Sequence, residues 1–310
     1  MSYWNALNRT AFSHRWVDVG GLSTRVVEAG EGESTVLFLH GIGGHIETFC
    51  RNIAPHAEAG YRVLAIDMLG HGYTAKPDGD YEIERYVDHL LKFLEVMDVK
   101  HANFAGTSLG GWVSARIAAR HPEMVDRLAL ISSAGLTAHP SVMHNLKTLT
   151  ERASLVAGRE GVRARLDFVI KNQEALTDEL IDIRHDIYAA DDYKRSVKNI
   201  MCLQNMEIRQ RNLLTEDELS KIEAPTLIVW THDDPTASVN DGRRYADSIP
   251  DSRFITFDNS SHMPQLEEWE RFNALHLAFL ADPASVRSDN DMRNSFKTNI
   301  PDITQTESIR

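Results

Sequence analysis

Gly106-Thr107-Ser108-Leu109-Gly110 lies between a short apolar run, Ala102 to Ala105, and a helical pattern, Trp112 to Arg120. A G-x-S-x-G with a strand before it and a helix after it is a nucleophile elbow. The chain turns there so sharply that the serine is held in a strained backbone conformation. The flanking glycines remove side chains that would clash. The turn points the Ser108 hydroxyl out of the fold, at the positive end of the following helix. Such a serine predicts an α/β protein with its site at the C-terminal ends of parallel strands.

The rest of the chain reads outward from that point. Arg15 to Asp18 and Leu22 to Glu28 flank Gly20-Gly21 and predict a tight hairpin. Val36 to His40 is a short apolar strand ending in Gly41-Ile42-Gly43-Gly44, and Arg62 to Asp67 is the next strand. Ile83 to Met97 carries apolar residues at i, i+3, i+4 and i+7, the mark of a helix. Leu128 to Ser132 is a further strand. Strands alternating with helices predict a mainly parallel sheet covered on both faces. From about His139 to Asn212 only helical patterns occur. Alternation resumes with Pro225 to Trp230, Arg253 to Phe257 and a final helix near Trp269 to Leu280. The expected organisation is a core of residues 1–136 and 214–284, an inserted helical cap of 137–213, and a polar, patternless, mobile tail of 285–310.

Composition bounds the function. The chain has 310 residues, 42% hydrophobic and 25% charged, as expected of a soluble globular protein. A formal net charge of -12 argues against nucleic acid and anionic membrane as partners. The N-terminus lacks the regions of a signal peptide, and no apolar run approaches a membrane span. Cys50 and Cys202 are far apart and read as reduced thiols, so the cytoplasm is the expected location. His40, His45 and His71 are not ordered like a zinc site, and no G-x-G-x-x-G follows a strand. Neither a metal nor a dinucleotide cofactor is expected.

A serine hydroxyl needs a base, and the base needs an orienting acid. In this type of fold they follow in the order Ser, Asp or Glu, His. Asp233 and Asp234 follow the Pro225 to Trp230 strand, and His262 follows the Arg253 to Phe257 strand. At these positions the chain resembles the α/β-hydrolase family over roughly residues 15 to 283. The resemblance implies an α/β-hydrolase fold: a mainly parallel central sheet flanked by helices, with an inserted helical cap. The family's Trp-Gly-x-x-Asp lands on Asp234. Thr231 stands where the glycine would be, which leaves Asp233 open as the alternative. The family's Gly-His appears here as Ser261-His262. The implied triad is Ser108, Asp234, His262. The implied oxyanion hole uses the backbone amides of Leu109 and, through His40-Gly41-Ile42, of Ile42.

The cap narrows the substrate. In Thr177-Asp178-Glu179-Leu180-Ile181-Asp182-Ile183-Arg184-His185-Asp186-Ile187-Tyr188, Thr177 is a good N-cap before an acidic first turn. Arg184 has Leu180, Ile181, Ile187 and Tyr188 as its i−4, i−3, i+3 and i+4 neighbours, so it lies on the apolar stripe. Two readings stand open. Arg184 reaches water or a nearby acid, or it binds a carboxylate on a small-molecule substrate. The Leu-Thr-Asp-Glu-Leu-x-x-x-Arg run resembles the meta-cleavage product hydrolases. These enzymes cleave a carbon–carbon bond in 2-hydroxy-6-oxo-hexa-2,4-dienoates from aromatic ring fission. Arg211-Asn212-Leu213-Leu214-Thr215 and Glu223-Ala224-Pro225-Thr226 look similar too.

The resemblance implies that Arg184, Gly41, Thr107 and Met263 surround the dienoate end. Thr107 stands where many members have Asn, Met263 where many have Trp, and the loop after Gly41 lacks the usual Pro. These departures leave a related substrate open. A carboxylesterase or lactonase with the same triad is the alternative, and a non-catalytic receptor on the same fold is a third reading. A haloalkane dehalogenase or epoxide hydrolase would need an Asp where Ser108 stands. Members are often dimeric or larger, so a homo-oligomer is an open expectation.

Overall fold

The computed structural model describes residues 2–289. Eight strands form one sheet in the order β1-β2-β4-β3-β5-β6-β7-β8. They are β1 (Phe12–Val19), β2 (Leu22–Ala29), β3 (Thr35–Leu39), β4 (Arg62–Ile66), β5 (Ala102–Thr107), β6 (Val125–Ile131), β7 (Thr226–Thr231) and β8 (Ser252–Phe257). β1 pairs antiparallel with β2, and β2 with β4, while β3 through β8 pair in parallel. The predicted hairpin is present. Val19 pairs with Leu22 across Gly20 and Gly21, whose φ values are +63° and +87°. Two left-handed residues give the turn whose twist matches the strands.

β3, β5 and β7 are buried along their whole length. A parallel strand covered on both faces must be apolar throughout rather than alternating. Successive residues still serve opposite layers: Leu37 and Leu39 pack into one core cluster, Val36 and Phe38 into the other. The helices are α1 (Cys50–Glu58), α2 (Ile83–Val96), α3 (Leu109–Arg120), α4 (Pro140–Leu155), α5 (Gly158–Asp167), α6 (Asp178–Ala189), α7 (Asp191–Ile200), α8 (Met206–Asn212), α9 (Glu216–Leu219), α10 (Val239–Ser248), α11 (Pro264–Glu267) and α12 (Trp269–Ala281). None is long and apolar enough to cross a membrane.

Beyond the one-turn α9 and α11, two helices, α1 and α10, have no counterpart in the sequence reading. Pro55 interrupts the pattern of α1, and α10 is polar with a glycine inside. Gly242 is there for close approach, since a Cβ would sit 2.7 Å from Trp230 and Phe254. Ser238 and Asp241 form a capping box at its start.

Between β6 and β7 the described chain is helical, α4 to α9. It is tied to the sheet ends by hydrogen bonds from Tyr188 Oη to Gly43 O (3.0 Å) and from Trp112 Nε1 to Asn212 O (3.2 Å). The His262 amide donates to Val169 O at 3.1 Å. Glu267 accepts from the amides of Lys171 and Asn172, both at 2.8 Å, and from Ser261 at 2.9 Å. The expected start of a free tail at Ser285 is corrected for residues 285–289. Val286 is buried in the core, Ser288 accepts from the Phe254 amide, and Asp289 accepts from the Thr256 amide and hydroxyl. These side chains satisfy β8, the last strand of the sheet, whose edge groups would otherwise lack partners. Residues 290–310, the rest of that expected tail, lie outside the described residues.

Buried neutral histidines run through the fold. His56 of α1 and His276 of α12 bond to each other at 2.9 Å between the two helices. Burial lowers His56 and His89 to about 4, His40 and His71 to about 3, and His276 well below the usual range. Each binds a proton near pH 6.5 only when unfolded. Their contribution is therefore complete above that pH and is lost as pH falls toward 4 and below. It is on the order of a few kcal/mol for each of His40, His56, His71 and His89. The urea midpoint should fall steeply between pH 6.5 and 4.5; a flat midpoint across that window would contradict this.

Candidate active site

Ser108 joins β5 to α3 with φ +54° and ψ −110°, a strained pair for a residue with a side chain. A side chain at Gly106 would overlap the Gly110 backbone, and one at Gly110 would overlap the Leu39 carbonyl. The turn is pinned by the Ser108 amide donating to Ile131 O (3.0 Å) and the Ala134 amide donating to Ser108 O (3.1 Å). β3 pairs with both β4 and β5, so the chain leaves its end in opposite directions and opens a crevice there.

His262 and Asp234 come from the loops after β8 and β7. His262 Nδ1 lies 2.8 Å from Asp234 Oδ2. It is also 2.9 Å from Thr236 Oγ1, which itself donates to Asp234 Oδ1 at 2.8 Å. Nδ1 thus carries the proton, and Nε2 is left free as a base. Asp234 also accepts from the amides of Thr236 and Ala237. Burial opposes its charge, but His262 and Thr236 outweigh burial and hold the carboxyl below its usual range. Asp233 is turned away to an exposed ion pair with Lys171 at 2.5 Å. Ser108 and His262 line the same pocket, and among the described residues no hydrogen bond joins Oγ to Nε2. Such bonds often tighten only when substrate binds.

The Leu109 amide opens α3, and the Ile42 amide follows β3. Neither donates to an acceptor among the described residues. Gly41 runs against the nucleophile; a Cβ there would be 3.1 Å from Ser108 Cβ. His40 fixes this loop. Its Nδ1 donates to Gly41 O (2.8 Å), and its Nε2 accepts from the Met68 amide (2.9 Å).

Arg184 is on the buried stripe of α6, only 2% exposed, and Thr177 caps that helix by accepting from the Leu180 amide. Its Nε donates to His45 Nε2 at 3.4 Å. His45 Nδ1 in turn donates to Glu47, which pairs with Arg25. Burial lowers the His45 pKa, so the ring faces Arg184 as a neutral acceptor. No carboxylate contacts Arg184 among the described residues.

Ser108 stands between two chambers. One is lined by Gly41, Thr48, Thr107, Arg165, Arg184, His262, Met263 and Gln265. The other is mainly apolar, with Leu109, Trp112, Leu136, Val142, Leu146 and Leu203. All nine residues singled out by the sequence, Asp234 behind His262 included, fall at this one site. The sequence reading missed Thr236, Thr48, Arg165 and Gln265. The Asp-x-Thr spacing of Asp234 and Thr236 is a side-chain-to-backbone turn pattern that could have flagged the first.

Residues 34–174 match the family described as the alpha/beta hydrolase fold. A 2-hydroxy-6-oxo-6-(2'-aminophenyl)hexa-2,4-dienoic acid hydrolase of Metapseudomonas resinovorans is 31% identical over 283 residues, covering 90% of this chain and 94% of that one. The chain belongs to the α/β-hydrolase family. The hydrolase is also similar to a solved serine hydrolase involved in carbazole degradation, with 30% identity, a TM-score of 0.73 and coverage of 87% and 99% of the two chains. A solved membrane phospholipase A, described as a bacterial virulence factor, is 30% identical, with a TM-score of 0.75 and coverage of 87% and 86%. The hydrolase therefore has relatives in the dienoate group that its cap motif resembles, and in an ester-cleaving group.

Proposed function

We propose that the hydrolase cleaves the C5–C6 bond of a 2-hydroxy-6-oxo-hexa-2,4-dienoate-type ring-fission product, with Ser108, His262 and Asp234 as its triad. The observation that carries this is Arg184: a buried guanidinium in the Ser108 pocket with no carboxylate beside it among the described residues. A charge so buried needs an anion, and a dienoate brings one. The apolar chamber on the other side of Ser108 suits the C6 substituent. The dienoic acid hydrolase from Metapseudomonas resinovorans supports the same substrate class. The helices between β6 and β7 act as the cap, and the free, buried Cys50 and Cys202 support a reducing, cytoplasmic setting.

In the chemistry proposed, the 2-hydroxyl proton leaves and C5 gains a proton, giving a 2,6-diketone. Ser108 Oγ, or a water, adds to C6 while His262 Nε2 takes its proton. The Ile42 and Leu109 amides hold the C6 oxyanion. When the C6 carbonyl re-forms, the C5–C6 electron pair passes into the conjugated 2-keto system, and His262 returns a proton to the departing dienol. Water then releases the acyl group if Ser108 was the nucleophile.

The same triad would hydrolyse a carboxylic ester or lactone, and the phospholipase relative supports that as the second reading. Arg184→Gln separates the two. Dienoate kcat/KM is expected to fall by about 10²-fold or more, while turnover of a neutral p-nitrophenyl ester changes by less than about threefold. Equal losses on both substrates would return Arg184 to a structural role.

A further inference from the structure

We infer that Arg165 is a second anion anchor in the Ser108 pocket, one that holds the oxygen next to the substrate carboxylate as an enolate. The inference rests on the dienoate reading above. Arg165 is on α5, 3% exposed, among the buried side chains of Val162, Leu166 and Val169. Its Nε donates to Thr150 Oγ1 at 3.1 Å, and its Nη1 is enclosed with no partner among the described residues. It lines the same chamber as Arg184, and among the described residues no Asp or Glu lines that chamber. The titratable groups facing it are Arg165, Arg184 and His262, with His45 behind Arg184 and Tyr188 and Tyr193 behind Arg165.

Two guanidiniums that repel one another in one buried chamber call for two negative charges. A carboxylate held in a bidentate fork by Arg184 supplies one. The proposed substrate carries a 2-hydroxyl beside that carboxylate. Loss of its proton to solvent gives the second negative oxygen, with no other bond made or broken. Two further buried, unpartnered groups edge the chamber, Thr107 Oγ1 and the Gln265 side-chain amide, so the polar wall continues past the arginines. The other chamber differs. Its Arg209 donates to the carbonyls of Thr137 and Leu203 and lies 5.2 Å from the Trp112 ring centre.

The test uses the Ser108→Ala protein, which should bind a 6-phenyl dienoate and turn it over about 10⁴-fold more slowly than wild type, slowly enough to record the spectrum of the bound compound. Its visible spectrum is titrated against pH. The bound compound is expected to stay in the dienolate form at least about one pH unit lower than the free compound. Adding Arg165→Gln should abolish that downward shift while weakening binding by less than about tenfold, whereas adding Arg184→Gln should weaken binding by about 10²-fold or more. Adding Arg165→Lys keeps the charge and should retain at least half the shift, and it carries the test if Arg165→Gln fails to fold. An unchanged shift in Arg165→Gln, or its complete loss in Arg165→Lys, would overturn the inference. No spectral change with Ser108→Ala alone would overturn the dienoate reading and this inference with it.

Discussion

Replacing Ser108 with alanine is expected to lower kcat on a dienoate by about 10⁴-fold with little change in KM. The alanine removes the hydroxyl but keeps the turn, because the strain at φ +54° is accommodated by the glycines around it and not by the serine side chain. The arginines and the apolar chamber still bind substrate, and the Ile42 and Leu109 amides still offer an oxyanion hole, so residual turnover survives. Single-turnover rates measured with purified wild type and variant check this. A loss smaller than about tenfold would contradict a role for Ser108 in the chemistry.

Asp234→Asn is expected to cost about 10³- to 10⁴-fold in kcat, and Asp233→Asn less than about twofold. Asp234 accepts the His262 Nδ1 proton at 2.8 Å and is held ionised by that ring and by Thr236. An amide in its place lets the ring turn over into the wrong tautomer, with the proton on Nε2, where the base is needed. Asp233 only pairs with Lys171 at the surface. Comparable losses in both variants, measured on the same substrate, would contradict the assignment.

The strands of the core were legible because a parallel sheet needs unbroken apolar runs, and those runs stand out between turns. The site's order was legible for the same reason: Ser108, Asp234 and His262 each follow such a run. α1 and α10 were not, because Pro55 breaks the helical pattern of α1, and Gly242 breaks that of α10 where Trp230 and Phe254 leave no room for a side chain. The docking of Val286, Ser288 and Asp289 was hidden likewise, since one apolar residue and two capping side chains leave no periodicity.

Choosing Asp234 over Asp233 needed the loop's actual path, which turns on Thr236. Arg184 could be singled out from its apolar neighbours. Arg165 has much the same signature, with Val162, Phe168 and Val169 at i−3, i+3 and i+4, yet it sits among Arg159, Glu160, Arg163 and Asp167 and reads as part of a solvated face. Only the fold brings residues 41–48, 107–108, 165–184 and 262–265 to one chamber.

The most direct measurement is loss of visible absorbance when the purified protein meets a 2-hydroxy-6-oxo-hexa-2,4-dienoate, with a short p-nitrophenyl ester assayed in parallel. Bleaching with kcat/KM at least about 10²-fold above that for the ester is the expected result for a site built around Arg184. Ester turnover with no bleaching across dienoates of several C6 substituents would contradict carbon–carbon bond hydrolysis and leave the esterase reading in its place.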